Sequence, residues 1–136
     1  MAATKIIDNE FVTLYCDIDN QIIHHIYRGK VSGDVLKKAL NTGTDYLIKH
    51  NLTKWLSDNR ASEGHTDEDS QWINEVWLPR TIKAGWKYWA LVVPETIIAR
   101  MDLVKYVESF YEQGVHVRVT PDPDEAMEWL LNIDKT

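Results

Sequence analysis

Hydrophobic and polar positions near the start of the chain alternate as they do in β-strands. Residues 11–16 alternate larger apolar side chains with small or polar ones, and residues 22–27 are rich in β-branched and aromatic side chains. Residues 17–20 between them include Asp and Asn, which favour turns. Because two such runs separated by a short polar segment usually pair, the pattern predicts a β-hairpin.

After the hairpin, the pattern changes to helical spacing. Apolar residues recur every three or four positions over residues 33–49, and this spacing predicts a first helix with Ser32 as its N-cap. A third strand is predicted over residues 52–58. The polar residues 59–69 that follow are predicted to form a long loop.

A second helix is predicted over residues 66–84, where apolar residues again follow helical spacing. Thr66 and Asp69 stand three positions apart, as in a capping box. Pro79 lies inside the pattern, and we expect it to bend or interrupt the helix because it lacks a backbone donor.

The most continuously apolar segment, residues 87–93, indicates a central parallel strand that is covered on both faces. Apolar residues at helical spacing from 97 to 111 predict a third helix, which should stop at Gly114. Alternating valines then predict a fifth strand over residues 115–120.

The final helix has a clear start signal. Asp122 is its predicted N-cap, Pro123 fits the first helical position, and Glu125 is placed to complete a capping box. The predicted order is therefore ββαβαβαβα. This order predicts an α/β fold with a mixed, mostly parallel five-stranded sheet and right-handed crossovers.

Composition places the chain among ordinary globular proteins. The 136 residues are 44% hydrophobic and 26% charged, which fits one domain over residues 1–136. The longest apolar stretch, about residues 89–94, is too short to span a membrane. The start lacks the apolar core of a signal peptide, and the lone Cys16 has no partner for an internal disulfide, so we expect a cytoplasmic protein.

Charge argues against nucleic acid as a partner. The formal net charge is −6, and Lys and Arg do not cluster densely enough to follow a phosphate backbone.

Two segments, together with the element order, carry a resemblance to a known family. Residues 54–60 read KWLSDNR, and a second pattern runs from residues 77–80 (WLPR) through Gly85 to residues 89–94 (WALVVP). The chain resembles the STAS domains, and more closely their bacterial SpoIIAA-like (STAS/SEC14-like) branch. The resemblance covers nearly the whole chain. It implies a non-catalytic regulatory or interaction module that acts through protein contacts. A homodimer is one form that such a module can take.

In regulatory STAS domains, the third strand ends in an aspartate that precedes a serine phosphorylated by a partner kinase. Asp58 matches the aspartate, but the next residues are Asn59, Arg60 and Ala61. The phosphoacceptor is therefore missing from this sequence at the position where the resemblance would place it. Ser62 and Thr66 lie nearby, where several acidic side chains would repel an added phosphate.

The candidate ligand-binding or partner-binding residues lie where the parallel strands end, because ligands of open α/β sheets bind at that edge. They belong to the predicted loop and to the helix behind it: Asp58, Asn59, Arg60, Ser62, His65, Thr66, Trp72 and Trp77. In one interpretation, Arg60 clamps a carboxylate or phosphate while an indole stacks on the ligand. In the other, the polar residues satisfy loop groups, Arg60 pairs with a nearby acid, and the tryptophans pack in the core.

The chain contains six tryptophans. Trp72 and Trp77 are five positions apart, which separates them by roughly 140° around a helix, so that one of them can face outward. An exposed tryptophan would indicate an interface, whereas a buried one needs no functional explanation.

No catalytic residue, metal site or cofactor is predicted. His24 and His25 are adjacent on a strand and point to opposite faces, so they cannot share a metal ion. Gly-rich phosphate loops, nucleophile elbows and Cys-x-x-Cys pairs do not occur in the sequence.

Three hypotheses follow. The first is the interaction module, with a protein partner or a second copy of the chain. The second is a small-molecule-binding domain with an apolar or anionic ligand, whose cavity lies under the second and third helices and uses Trp77, Trp86 or Met101 as walls. The third is an enzyme of unknown reaction that uses Asp58, Arg60 and His65.

Overall fold

The computed structural model describes residues 3–134, which form a six-stranded mixed sheet with helices on both faces. The strands are β1 (Thr4–Asp8), β2 (Val12–Asp17), β3 (Ile22–Gly29), β4 (Lys54–Ser62), β5 (Tyr88–Val92) and β6 (His116–Thr120). The helices are α1 (Gly33–His50), α2 (Asp67–Trp72), α3 (Leu78–Lys83), α4 (Glu95–Ile98), α5 (Leu103–Glu112) and α6 (Pro123–Asn132). A π-helical turn, Ile73–Trp77, joins α2 to α3.

The strands are ordered in space as they are in sequence, from β1 to β6. The first three strands pair antiparallel, and β3 to β6 pair parallel. Buried residues of α1, the π-helical turn and α5 pack on one face of the sheet, whereas α6 packs on the other face. We call these the α1 face and the α6 face.

The α/β class and the mostly parallel sheet are confirmed, but the sheet has six strands and not five. The unpredicted strand is β1. Its residues are exposed or half-buried and it pairs with β2 at the edge of the sheet, so it lacks the run of buried side chains that marks the inner strands. The predicted hairpin is confirmed, with Val12 paired to Tyr27 and Asp17 paired to Ile22.

The predicted loop over residues 59–69 is wrong in its first part, because β4 continues to Ser62. Backbone pairing extends the strand: Ala61 lies opposite Arg28, and Ser62 lies opposite Gly29, after a bulge in which β4 has one residue more than β3. The loop itself is short, from residue 63 to residue 66.

The predicted second helix is helical from Asp67 to Lys83, but a π-helical turn changes its hydrogen-bond register in the middle. Its capping box is confirmed: Asp69 N donates to Thr66 Oγ1 at 3.1 Å, and Thr66 N donates to Asp69 Oδ2 at 3.2 Å. Leu78 N donates to Ile73 O, the wider π-helical bond, just before Pro79 in the first turn of α3. Because Pro79 cannot donate a backbone hydrogen bond, a local change of register at this point has a physical cause.

Ser32 is the N-cap residue of α1, but its side chain makes no capping hydrogen bond. The acceptor comes from α2 instead, since Gly33 N donates to Asp69 Oδ1 at 3.1 Å. One carboxylate therefore caps its own helix and also holds the start of α1.

The predicted third helix is two helices, α4 and α5, and a new cap marks the break. Asp102 begins α5 by accepting a hydrogen bond from Lys105 N at 3.3 Å. In the last helix, Asp122 is the N-cap as predicted, but Glu125 does not complete a capping box. Its carboxylate accepts from Arg118 and from Thr120 Oγ1.

Candidate functional site

The extension of β4 separates residues that the predicted loop had placed together. Side chains alternate between the two faces of a strand. Ser57 therefore lies on the α1 face and Asp58 on the α6 face. In the bulge that follows, contacts show the faces: Asn59 meets His25 on the α1 face, whereas Arg60 pairs with Asp58 and is within electrostatic reach of Asp122.

Asp58 and Arg60 form a bidentate ion pair. Arg60 Nε donates to Asp58 Oδ1 at 2.9 Å, and Arg60 Nη2 donates to Asp58 Oδ2 at 2.8 Å. Burial alone would raise the pKa of Asp58, but the hydrogen bonds and charge of Arg60 outweigh burial and hold the pKa below its ordinary value. The Asp58 carboxylate thus occupies the Nε/Nη2 donor edge of Arg60, one of the edges that a ligand clamp would use.

A cavity of about 600 Å³ opens on the α1 face, beside the carboxyl ends of β3, β4 and β5. Its apolar walls come from α1, the π-helical turn, α3, β5 and α5: Leu36, Leu40, Ile73, Trp77, Leu78, Trp89, Leu91, Val93, Tyr106 and Phe110. Its polar lining comes mostly from β3, β4 and the segments around α2, with two residues from α5 and its end: His25, Tyr27, Ser57, Asn59, His65, Ser70, Asn74, Ser109 and Gln113.

Of the eight candidate residues, Asn59, His65 and Trp77 line this cavity. The structure places the other five away from its lining. Asp58 and Arg60 pair on the opposite face, the Ser62 hydroxyl accepts from Gly64 N, Thr66 caps α2, and Trp72 packs at the edge of the core with Lys37 5.6 Å from its ring centroid. Of the three expected wall residues, Trp77 is in the lining, and Trp86 and Met101 are not.

A chain of hydrogen bonds fixes the polar wall of the cavity. The Trp55 indole Nε1, which can only donate, donates to His25 Nδ1 at 3.0 Å. His25 must then carry its proton on Nε2, and this nitrogen lies 3.0 Å from Asn59 Oδ1. Burial lowers the pKa of His25 to about 3, so the ring is neutral at physiological pH.

Two further hydroxyl groups lie in the same wall. The Tyr27 ring stacks on His25 with centroids 3.8 Å apart, and its buried hydroxyl has no hydrogen-bond partner among residues 3–134. The Ser57 hydroxyl accepts from Trp89 Nε1 at 2.9 Å. The Ser57 proton therefore remains available to another acceptor. The Tyr27 oxygen, in contrast, is fully enclosed by its neighbours.

The apolar wall is held by packed indoles. Trp77 is buried and donates from Nε1 to Thr44 Oγ1 at 2.8 Å. Its ring lies edge-on to Trp55, with centroids 5.1 Å apart, and 5.5 Å from Trp86. Gly43 makes room for this packing, because a Cβ atom there would lie 2.5 Å from the Trp55 ring.

Sequence reasoning missed His25, Tyr27 and Ser57. A signal for His25 was present, since the alternation that put His24 and His25 on opposite faces required one of them to lie on the face that carries the cavity. The register then brings His25 opposite Ser57. No pattern within one strand contains that pairing.

Among the residues described, no helix is both long enough and apolar enough to cross a bilayer. Within the same residues, no group of three or more His, Cys, Asp or Glu side chains could hold a metal ion.

Comparison with known proteins identifies a fold. No family model and no curated protein matches the sequence. The structure is similar to the crystal structure of an uncharacterized DUF3478-family protein from Shewanella loihica PV-4, which is described as having a SpoIIAA-like fold. The match has a TM-score of 0.52 at 12% sequence identity and covers 95% of this chain and 92% of the other. The chain therefore has a SpoIIAA-like fold.

Proposed function

We propose that the protein is a non-catalytic, STAS-like module that binds an apolar small molecule in the cavity on the α1 face. The observation that carries this proposal is the cavity itself. Its volume of about 600 Å³ falls within the usual range for small-molecule sites, and its lining is mainly aliphatic and aromatic with a few polar groups.

Binding without catalysis is supported by the state of the titratable groups. Both ring nitrogens of His25 are engaged, so neither is free to accept a proton from a substrate. Asp58 is paired with Arg60 on the other face of the sheet. The set Asp58, Arg60 and His65 is thus split between two faces, which argues against an enzyme built from those three residues.

The proposal predicts saturable binding of Nile red, an uncharged apolar dye whose emission rises in apolar surroundings. Asn74 is exposed and lines the cavity from the π-helical turn, so Asn74→Trp should fill the cavity and weaken dye binding at least about tenfold. Glu75→Trp is the matched control, because Glu75 is the next residue, is exposed and does not line the cavity. Equal dye affinity in the two variants would contradict the proposal.

Protein contact is a second candidate function, and one feature of α5 favours it. Val104 is 70% exposed and Tyr111 is 63% exposed. These residues are seven positions apart, so they lie on the same side of the helix. A homodimer formed through this side would give twice the chain mass in sedimentation equilibrium, and Val104→Lys would return the protein to a monomer. A wild-type protein that is monomeric at every concentration would remove this candidate.

A further inference from the structure

The buried part of the cavity lining offers no countercharge for an ionic ligand. The lining, within residues 3–134, contains no Asp, Glu, Lys or Arg. His25 is neutral because burial lowers its pKa, and His65 lies in an exposed position where water screens charge. Because a charged group that leaves water needs a countercharge, this lining favours an uncharged ligand.

The hydrogen bonds of the wall determine which way the Asn59 amide faces. Since Nδ1 of His25 accepts from Trp55, Nε2 of His25 is the donor, and the Asn59 atom that faces it must be the carbonyl oxygen. The Asn59 amide nitrogen then points away from His25. It has two hydrogens and makes no hydrogen bond to residues 3–134, in a side chain that lines the cavity.

The neighbouring groups in the wall are also donors. The Ser57 hydroxyl already accepts from Trp89, so its own proton is free. The Tyr27 hydroxyl also has no partner in the described part of the chain, but its oxygen is fully enclosed by its neighbours. A ligand acceptor in the cavity would therefore meet the Asn59 amide and the Ser57 hydroxyl.

Other parts of the cavity lining are aromatic. Trp89 lies edge-on to Phe110 with centroids 5.1 Å apart, Tyr106 packs on Phe110 at the same distance, and Trp77 completes this lining. Such walls favour a ligand with aromatic rings, which can pack against the faces and edges of these side chains.

We propose that the cavity selects uncharged aromatic compounds that carry a carbonyl-type acceptor, and that the Asn59 amide nitrogen is the principal donor to that acceptor, with the Ser57 hydroxyl beside it. The proposal deepens the proposed function and depends on it. It excludes the anionic ligands that the clamp interpretation of Arg60 would require.

The test compares three ligands with the same two phenyl rings. Benzophenone is uncharged and has a carbonyl acceptor, diphenylmethane has no acceptor, and diphenylacetate is a carboxylate at neutral pH. Each competes with Nile red for the wild-type protein. One well-placed hydrogen bond should make benzophenone bind about five- to tenfold more tightly than diphenylmethane, and diphenylacetate should bind most weakly.

Variants then assign the donor. Asn59→Ala should reduce the preference for benzophenone to near unity while diphenylmethane still binds. Arg60→Ala changes the next residue, whose side chain lies on the other face of the sheet, and should retain the preference. The wild-type comparison decides the proposal even if Asn59→Ala fails to fold.

Two results would overturn the inference but leave ligand binding standing: equal affinities for benzophenone and diphenylmethane, or tightest binding of diphenylacetate. If Nile red and all three compounds fail to bind, the proposed function fails and the inference fails with it.

Discussion

At the scale of single residues, His25 connects the core to the cavity. It accepts from Trp55 in the core and donates to Asn59 at the cavity wall, while Tyr27 stacks on its ring. A protonated ring would lose the hydrogen bond from Trp55, because both nitrogens would then be donors. The neutral ring is therefore a condition for the observed wall.

This arrangement predicts a loss of stability in mild acid. The pKa of His25 is about 3 in the folded protein, against 6.5 for an ordinary histidine. Between these values the unfolded chain takes up a proton that the folded chain does not. The stabilisation is therefore complete above about pH 6.5 and is lost as the pH falls, by up to about 1.4 kcal/mol per pH unit.

Urea unfolding from neutral to mildly acidic pH measures this loss. His25→Gln should be less stable than the wild type at neutral pH but should show a shallower dependence on pH. Burial also lowers the pKa of His24, so His24→Gln measures the share of that residue in the same range. If the slope of His25→Gln equals that of the wild type, His25 is not the titrating group.

At the scale of elements, the sequence predicted those that bury a face. Strands β2 to β6 and the starts of α1, α2 and α6 follow from apolar periodicity and capping residues. The sequence could not predict the strand boundaries that depend on backbone pairing. The end of β4 is polar, and it is a strand because Ala61 and Ser62 pair with β3.

The same reason limited the prediction of the site. Treating residues 59–69 as a loop allowed Asp58, Arg60 and His65 to be considered together. In the structure, Asp58 and Arg60 pair on one face of β4, whereas Asn59 meets His25 on the other. The cavity also needs side chains from helices that are distant in sequence, such as Leu40 and Phe110, and a single sequence does not contain these contacts.

At the scale of the whole molecule, the two faces of the sheet differ in how they are covered. On the α6 face, a buried cluster that includes Leu56, Ala90 and Leu130 fills the space between α6 and the sheet. On the α1 face, the helices enclose the cavity beside the carboxyl ends of the parallel strands, where α/β sheets usually bind ligands. We therefore assign ligand binding to the α1 face.

The most direct test is a nuclear magnetic resonance titration of the tryptophan indole N–H signals with benzophenone, assigned by single Trp→Phe variants. Trp77 and Trp89 line the cavity, whereas Trp129 packs on the α6 face. If the ligand binds in the cavity on the α1 face, we expect saturable shifts of the Trp77 and Trp89 signals while the Trp129 signal stays in place. A shift at Trp129 without shifts at Trp77 and Trp89, or no shift at saturating ligand, would contradict it.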